Sequence, residues 1–251
     1  MDDMDKYQSM PMAGEHTNMK IFTGWVLLSQ MFGLASVILV AVWMGNFRGG
    51  FAWQSNPSLQ FNYHPLFMVI GMVFLYGDSI LVYRVFRNER KTTVKVLHTV
   101  IHVLALIFSA VGLKAVFDSH NLATKPMPNM YCLHSWLGMI TVVLFGMQWL
   151  VGFVAFLFPG LSMKIRTAYK PYHVFWGLAI FMVALASALT GVAEKAVFSN
   201  EDYSLKNNEG MLANCLGLML LGLGLTVAYI VTTPDYARQT LPEEEQLQLT
   251  Q

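Results

Sequence analysis

The sequence predicts an all-α membrane protein with six transmembrane helices, and three observations carry that expectation. Charge is scarce: only 12% of the 251 residues are charged and 55% are hydrophobic, whereas soluble domains carry roughly a quarter charged residues. Six stretches are apolar over the ~20 residues a helix needs to cross a bilayer; they cover 21–44, 64–84, 96–117, 133–158, 172–193 and 211–232. Lysine and arginine gather on alternate connections between them. The same composition excludes other classes. With 16 basic against 15 acidic residues there is no basic stripe for nucleic acid, and the chain is too hydrophobic for disorder.

Each span has its own marks. The first is too long for a signal-peptide core and has no small-residue cleavage site behind it, so it is expected to stay. Pro65 and Pro171 read as first-turn prolines of the second and fifth spans, where a missing N–H costs nothing. The fourth lies in the longest uncharged run, Pro126 to Met163. Cys132 and Cys215 form no CxxC or disulfide framework, and Asn56 precedes Pro57, which removes the one Asn-x-Ser glycosylation pattern. No repeat of solenoid period is present.

Orientation follows from the basic residues. With the N-terminus on one side, that side holds Lys6, Lys20, Arg84, Arg87, Arg90, Lys91, Lys95, Lys164, Arg166, Lys170 and Arg238, 11 in all. The other holds Arg48, Lys114, Lys125, Lys195 and Lys206, 5 in all. Both termini are therefore expected in the cytoplasm. The division expected is a tail over 1–20, a six-helix domain over 21–233 and a tail over 234–251, with Glu243 to Glu245 solvated.

Four of the seven histidines open successive spans: His64, His98, His134 and His173. Because spans alternate in direction, His64 and His134 fall at one level, on the lumenal side, and His98 and His173 at the other. Ionisable groups inside a bilayer are rare and usually face a bundle interior or a cofactor, though each histidine alone reads equally well as an interfacial hydrogen-bonder. Zinc would want further Cys, His or carboxylate ligands at each level. Haem iron takes two axial ligands, and its flat ring fits between apolar helices. Gly71, Gly138 and Gly177 are candidates for admitting such a plate, with ordinary helix packing an equal reading. At ~1.5 Å rise per residue through a core ~30 Å thick, the two irons would lie roughly 20 Å apart. The inference is an electron wire across the membrane.

The segments FNYHP (61–65), LVYRVFRNERKTTVKVLH (81–98), YCLHSWLG (131–138) and KPYHVFWG (170–177) resemble the cytochrome b561 family of ascorbate-dependent di-haem cytochromes. RGGFAW (48–53), RVFRNE and AVFD (115–118) look most like its chromaffin-granule, neuroendocrine-vesicle branch. The resemblance covers residues 21 to 235. It implies a homodimer in which helices two to five form a four-helix bundle around two non-covalent b haems. His64 and His134 would ligate the lumenal haem, and His98 and His173 the cytoplasmic one. His102, one turn deeper than His98, would be a neighbour rather than a ligand.

At the cytoplasmic mouth, Lys91, Lys95 and Arg166 cluster around His98 and His173, and positive charge draws an anionic donor. The resemblance assigns these three to ascorbate. At the lumenal mouth, His120 and Tyr131 are the expected acceptor residues, with Phe117 and Asn121 as further candidates; a loop histidine there can carry the accompanying proton. Arg48 and Arg84 are candidates for haem propionates. Asp78, an acid within the second span, has no role the sequence assigns. The family implies transfer from cytosolic ascorbate to lumenal monodehydroascorbate, in a secretory vesicle membrane. Ferric chelate is the alternative acceptor. A transporter or proton channel would require helices interrupted at mid-membrane, and a non-redox scaffold would leave the paired histidines unexplained.

Overall fold

The computed structural model describes residues 13–238, and side chains from residue 19 onward. The spans become six long helices: α1 (Met19–Phe47), α2 (Pro57–Val85), α3 (Lys91–Asn121), α4 (Leu133–Phe156), α5 (Met163–Ser199) and α6 (Asn208–Thr232). In lipid each backbone N–H and C=O must be satisfied within its own segment, so apolar stretches of this length close into helices. Helical geometry already starts at Ala13, ahead of α1. The segment Glu243 to Glu245 lies outside the described residues.

Packing divides the chain into pairs. α2 lies along α3, α4 along α5, and α6 along α1, with α6 also touching α5 and α2. By contrast, α3 and α4 meet at few points. The four helices α2 to α5 are thus two hairpins facing each other across a seam, as the expected bundle requires.

Two details differ from the regular helices expected. Val69–Leu75, in the middle of α2, is π-helical, as is Trp43–Phe47 at the end of α1. The wide turn in α2 seats Gly71 against α3, where a Cβ would fall 2.9 Å from both the Ala105 carbonyl oxygen and Phe108 Cβ. Secondly, Pro171 is no first-turn proline: α5 begins at Met163 and carries Pro171 inside it. The helix runs on past the apolar stretch through the polar segment 164–170, which hydropathy alone assigns to a loop.

The middle of the seam is closed by aromatic rings. Tyr76 of α2 lies 4.6 Å from Phe145 of α4, 5.4 Å from Phe181 of α5 and 5.3 Å from the His102 ring of α3, centroid to centroid. Its hydroxyl donates to the Gly177 carbonyl at 2.8 Å, so the one polar atom of this plug is satisfied. Tyr76, Phe145 and Phe181 are all buried.

Candidate functional site: two histidine pairs across the seam

On either side of that plug the histidines meet in the pairs expected from topology. His64 (α2) and His134 (α4) have ring centroids 6.0 Å apart, and His98 (α3) and His173 (α5) 6.3 Å apart. The second pair lies at the end of the bundle that carries Lys91, Lys95 and Arg166, hereafter the basic end. Two nitrogens bound at about 2 Å to one metal between opposed rings give ring centres about 6 Å apart, which is the spacing of both pairs.

Local structure aims the rings. His64 Nδ1 lies 3.2 Å from the Gly112 carbonyl, His98 Nδ1 2.8 Å from the Ser79 carbonyl and His134 Nδ1 2.8 Å from the Ser187 carbonyl. A proton on each Nδ1 donated to these carbonyls leaves Nε2 with its lone pair free, the tautomer a metal requires. His173 differs: its Nδ1 is buried with no protein partner. Phe156 and Tyr169 pack on its ring at 5.2 and 5.9 Å. Among the described residues no three His, Cys, Asp or Glu side chains converge, so each donor set is a pair of imidazoles.

The glycines that make room are not those the sequence singled out. At Gly191 a Cβ would fall 2.6 Å from His134 Cε1, and at Gly152 2.8 Å from His173 Cε1. Gly71 is a contact with α3, Gly138 faces the Ser187 hydroxyl and Gly177 has only an ordinary contact with Gln148. Nothing in local sequence separates a glycine that seats a ring from one that seats a helix; the distinction exists only once α4 and α5 are paired.

A cavity of about 660 Å³ opens beside His64 and His134, walled mainly by apolar side chains such as Val69, Met72 and Val142. His120, Tyr131 and Phe117 line it. His120 Nδ1 lies 3.0 Å from Asn129 Oδ1, and the Asn129 amide donates to Asn121 Oδ1 at 2.9 Å, so Asn121 joins through a residue the sequence reading missed. Tyr131 is 60% exposed; burial first, then Glu194 and Cys132, raises its phenol above the ordinary value, which keeps it a donor. Glu194 and Lys195 also line this cavity. Opposed imidazoles, glycine seats and apolar walls together fit haem.

The loop into this end is built by RGGFAW. Gly49 and Gly50 have φ of +81° and +86°, which side chains disfavour. The buried Asn62 amide ties the loop down by donating to the Arg48 and Gly50 carbonyls at 2.9 and 2.6 Å, two residues before His64. The two arginines nominated for propionates have protein partners. Arg48 is ion-paired with Glu209, which also accepts from Trp43 Nε1 at 2.6 Å. Arg84 donates to the Val231 and Thr233 carbonyls, holding the C-terminal end of α6 by charge and hydrogen bonds together.

At the basic end Lys95 Nζ donates to the last carbonyl of α4, Phe156, at 2.7 Å, and the charges of Arg166 and Lys91 both act on it. Arg166 Nε is buried without a partner. Lys95 thus stands near both other cations, and the Phe156 that it caps packs on the His173 ring. His102 packs edge-on to His98 at 4.4 Å, and its buried Nδ1 has no partner. Asp78 is explained by α1: the Gln30 amide donates to it at 2.6 Å.

The model of the eukaryotic cytochrome b561 family matches residues 63–199, a stretch that contains all four paired histidines. The chain belongs to the cytochrome b561 family. Relatives agree over nearly full length. The transmembrane ascorbate-dependent reductase of Sus scrofa is 50% identical over 226 residues, covering 90% of this chain and 88% of that protein. The Caenorhabditis elegans homolog of that reductase is 39% identical over 242 residues, 93% of this chain and 91% of its own. The lysosomal membrane ascorbate-dependent ferrireductase of Bos taurus is 40% identical over 225 residues, 86% and 84% respectively. In this cytochrome b561 the six transmembrane helices are the family fold, and haem b is the family cofactor.

Proposed function

We propose that the chain moves single electrons across the membrane from ascorbate on the basic, cytoplasmic face to an acceptor on the lumenal face. It is an ascorbate-dependent transmembrane oxidoreductase. The observation that carries this reading is the pair of opposed imidazoles on either side of the aromatic plug. His64 and His134 would hold one haem b, His98 and His173 the other. Bound there, each haem would supply a one-electron ferric/ferrous couple.

The protein's own residues do the rest. Lys91, Lys95 and Arg166 attract and orient the ascorbate anion. The plug of Tyr76, Phe145 and Phe181 keeps water out of the seam, so electrons pass without an aqueous path for protons. His120, held by Asn129, takes or gives the proton at the lumenal mouth, and Tyr131 donates a hydrogen bond to the acceptor there. Monodehydroascorbate in a secretory vesicle is the acceptor the branch resemblance favours. A ferric chelate is the second reading, favoured by the ferrireductase named among the relatives. A homodimer, with both tails cytoplasmic around a domain over 21–233, completes the proposal.

Two measurements test it. Purified protein should show b-type absorption bands that sharpen when ascorbate is added; a colourless protein refutes the reading. Vesicles loaded with ascorbate should reduce external monodehydroascorbate faster than ferric chelates, and equal rates would remove the preference for the first acceptor.

A further inference from the structure

Lys195 is the basic residue of the lumenal cavity that neither the motifs nor the family resemblance nominated. It lies on α5 one turn beyond Gly191, hence on the face that seats His134. Its Nζ stands 4.2 Å above the centroid of the Phe61 ring, and that ring is 6.0 Å from the ring of His64. The ammonium therefore borders the space between the paired imidazoles, in the cavity they share. Charged groups face it from two other elements, Arg48 after α1 and Glu209 on α6. Glu209 is already ion-paired with Arg48. Among the described residues no carboxylate lies within ion-pair distance of Lys195. A cation lining an apolar-walled cavity calls for a partner, and an aromatic face supplies only part of one.

We propose that Lys195 is the counter-ion of an anionic group bound in the His64–His134 cavity. Two sources share that chemistry: a propionate of the haem held there, or the enolate anion of an ascorbate-class acceptor. The assignment rests on the proposed di-haem reading. Arg48, the sequence candidate for this role, is held by Glu209, so the chain places a second cation where the first is occupied.

The test is a potentiometric titration of the holoprotein, with acceptor kinetics, for K195M, K195Q and K195R. At an effective dielectric of ~20 and a separation of about 10 Å, loss of one positive charge shifts a reduction equilibrium roughly tenfold, about 59 mV for a one-electron couple. If the anion is a propionate, K195M and K195Q lower the potential of one haem component by about that amount and leave the other unchanged, while K195R stays near wild type. If the anion is the acceptor, KM for monodehydroascorbate also rises about tenfold with kcat little changed, whereas for a propionate KM holds. Unaltered potentials and unaltered KM in K195Q, with haem content intact, overturn the proposal. So does an equal effect in K195R, which would mark a packing role. Should wild-type protein bind fewer than two haems, it is the underlying reading that fails, whatever Lys195 does.

Discussion

Gly191→Ala is the sharpest single-atom perturbation of the His64–His134 site. The added methyl would sit 2.6 Å from His134 Cε1, whereas ordinary contact begins at 3.4 Å, so the ring must retreat by about 0.8 Å. It has little freedom to do so, because its Nδ1 is fixed 2.8 Å from the Ser187 carbonyl and Gly191 belongs to a 37-residue helix. In a helix interior, Gly to Ala alone stabilises by ~1 kcal/mol; overpacking of this kind costs about 1–3 kcal/mol. The balance falls on the ligand geometry, since a displaced imidazole cannot complete a two-ligand site. The expected result is a haem-to-protein ratio that falls from two to one, with ascorbate still reducing the remaining haem at the basic end. Gly146→Ala in α4, which has nothing within 4 Å of the new atom, serves as control and should keep both haems. The assay is haem extraction against protein concentration, with the reduced-minus-oxidised spectrum. Two haems retained in Gly191→Ala with an unchanged spectrum would refute the argument.

Further outcomes follow from the same geometry. Gly152→Ala, with its Cβ 2.8 Å from His173 Cε1, should produce the mirror result: loss of the haem at the basic end and of rapid reduction by ascorbate, read by stopped-flow absorbance. His134→Ala should remove one haem and spare the other in the same extraction assay; retention of both refutes the pairing. Lys91→Glu together with Lys95→Glu should raise KM for ascorbate about tenfold or more, and added salt should narrow the gap from wild type as it screens the charges. Arg48→Met leaves the half-buried Glu209 without its ion partner, a loss of about 3–5 kcal/mol that thermal unfolding in detergent should register. Its haem content at low temperature should remain that of wild type.

The fold and the pairing of histidines were legible because each depends on few variables. Hydropathy sets where a helix crosses, and alternation of direction sets which ends share a level, so His64 meets His134 without any knowledge of packing. The glycines were not legible, because Gly191 and Gly71 differ only in what the neighbouring helix presents. Pro171 was misread for a related reason: hydropathy marks where lipid begins, and α5 starts earlier, in the polar segment 164–170, where water can solvate its surface. Lys195 was passed over because a lone lysine near the end of a span reads as snorkelling to the headgroups. Its position over Phe61 is set by α5 turning that face toward the seam. Arg84, the other candidate for a propionate, has hydrogen bonds to the end of α6 that no motif announces.

The seam explains why the bundle is assembled from two hairpins rather than from four evenly packed helices. A flat cofactor at each end, as proposed, would need a gap between α2–α3 and α4–α5, and a gap through a membrane invites water and ion leakage. The chain closes it at mid-depth with Tyr76, whose hydroxyl is taken by the Gly177 carbonyl and whose ring is gripped by Phe145 and Phe181. His102 completes that contact from α3, touching the Tyr76 and Phe145 rings on one side and His98 on the other. These packed rings narrow the seam at mid-depth and, through His102, stand in contact with the His98 ring. The π-helical turn Val69–Leu75 immediately precedes Tyr76 and sets its rotation about the α2 axis. A regular helix of the same sequence would turn that ring away from the seam, so the irregularity in α2 belongs to the insulation of the wire.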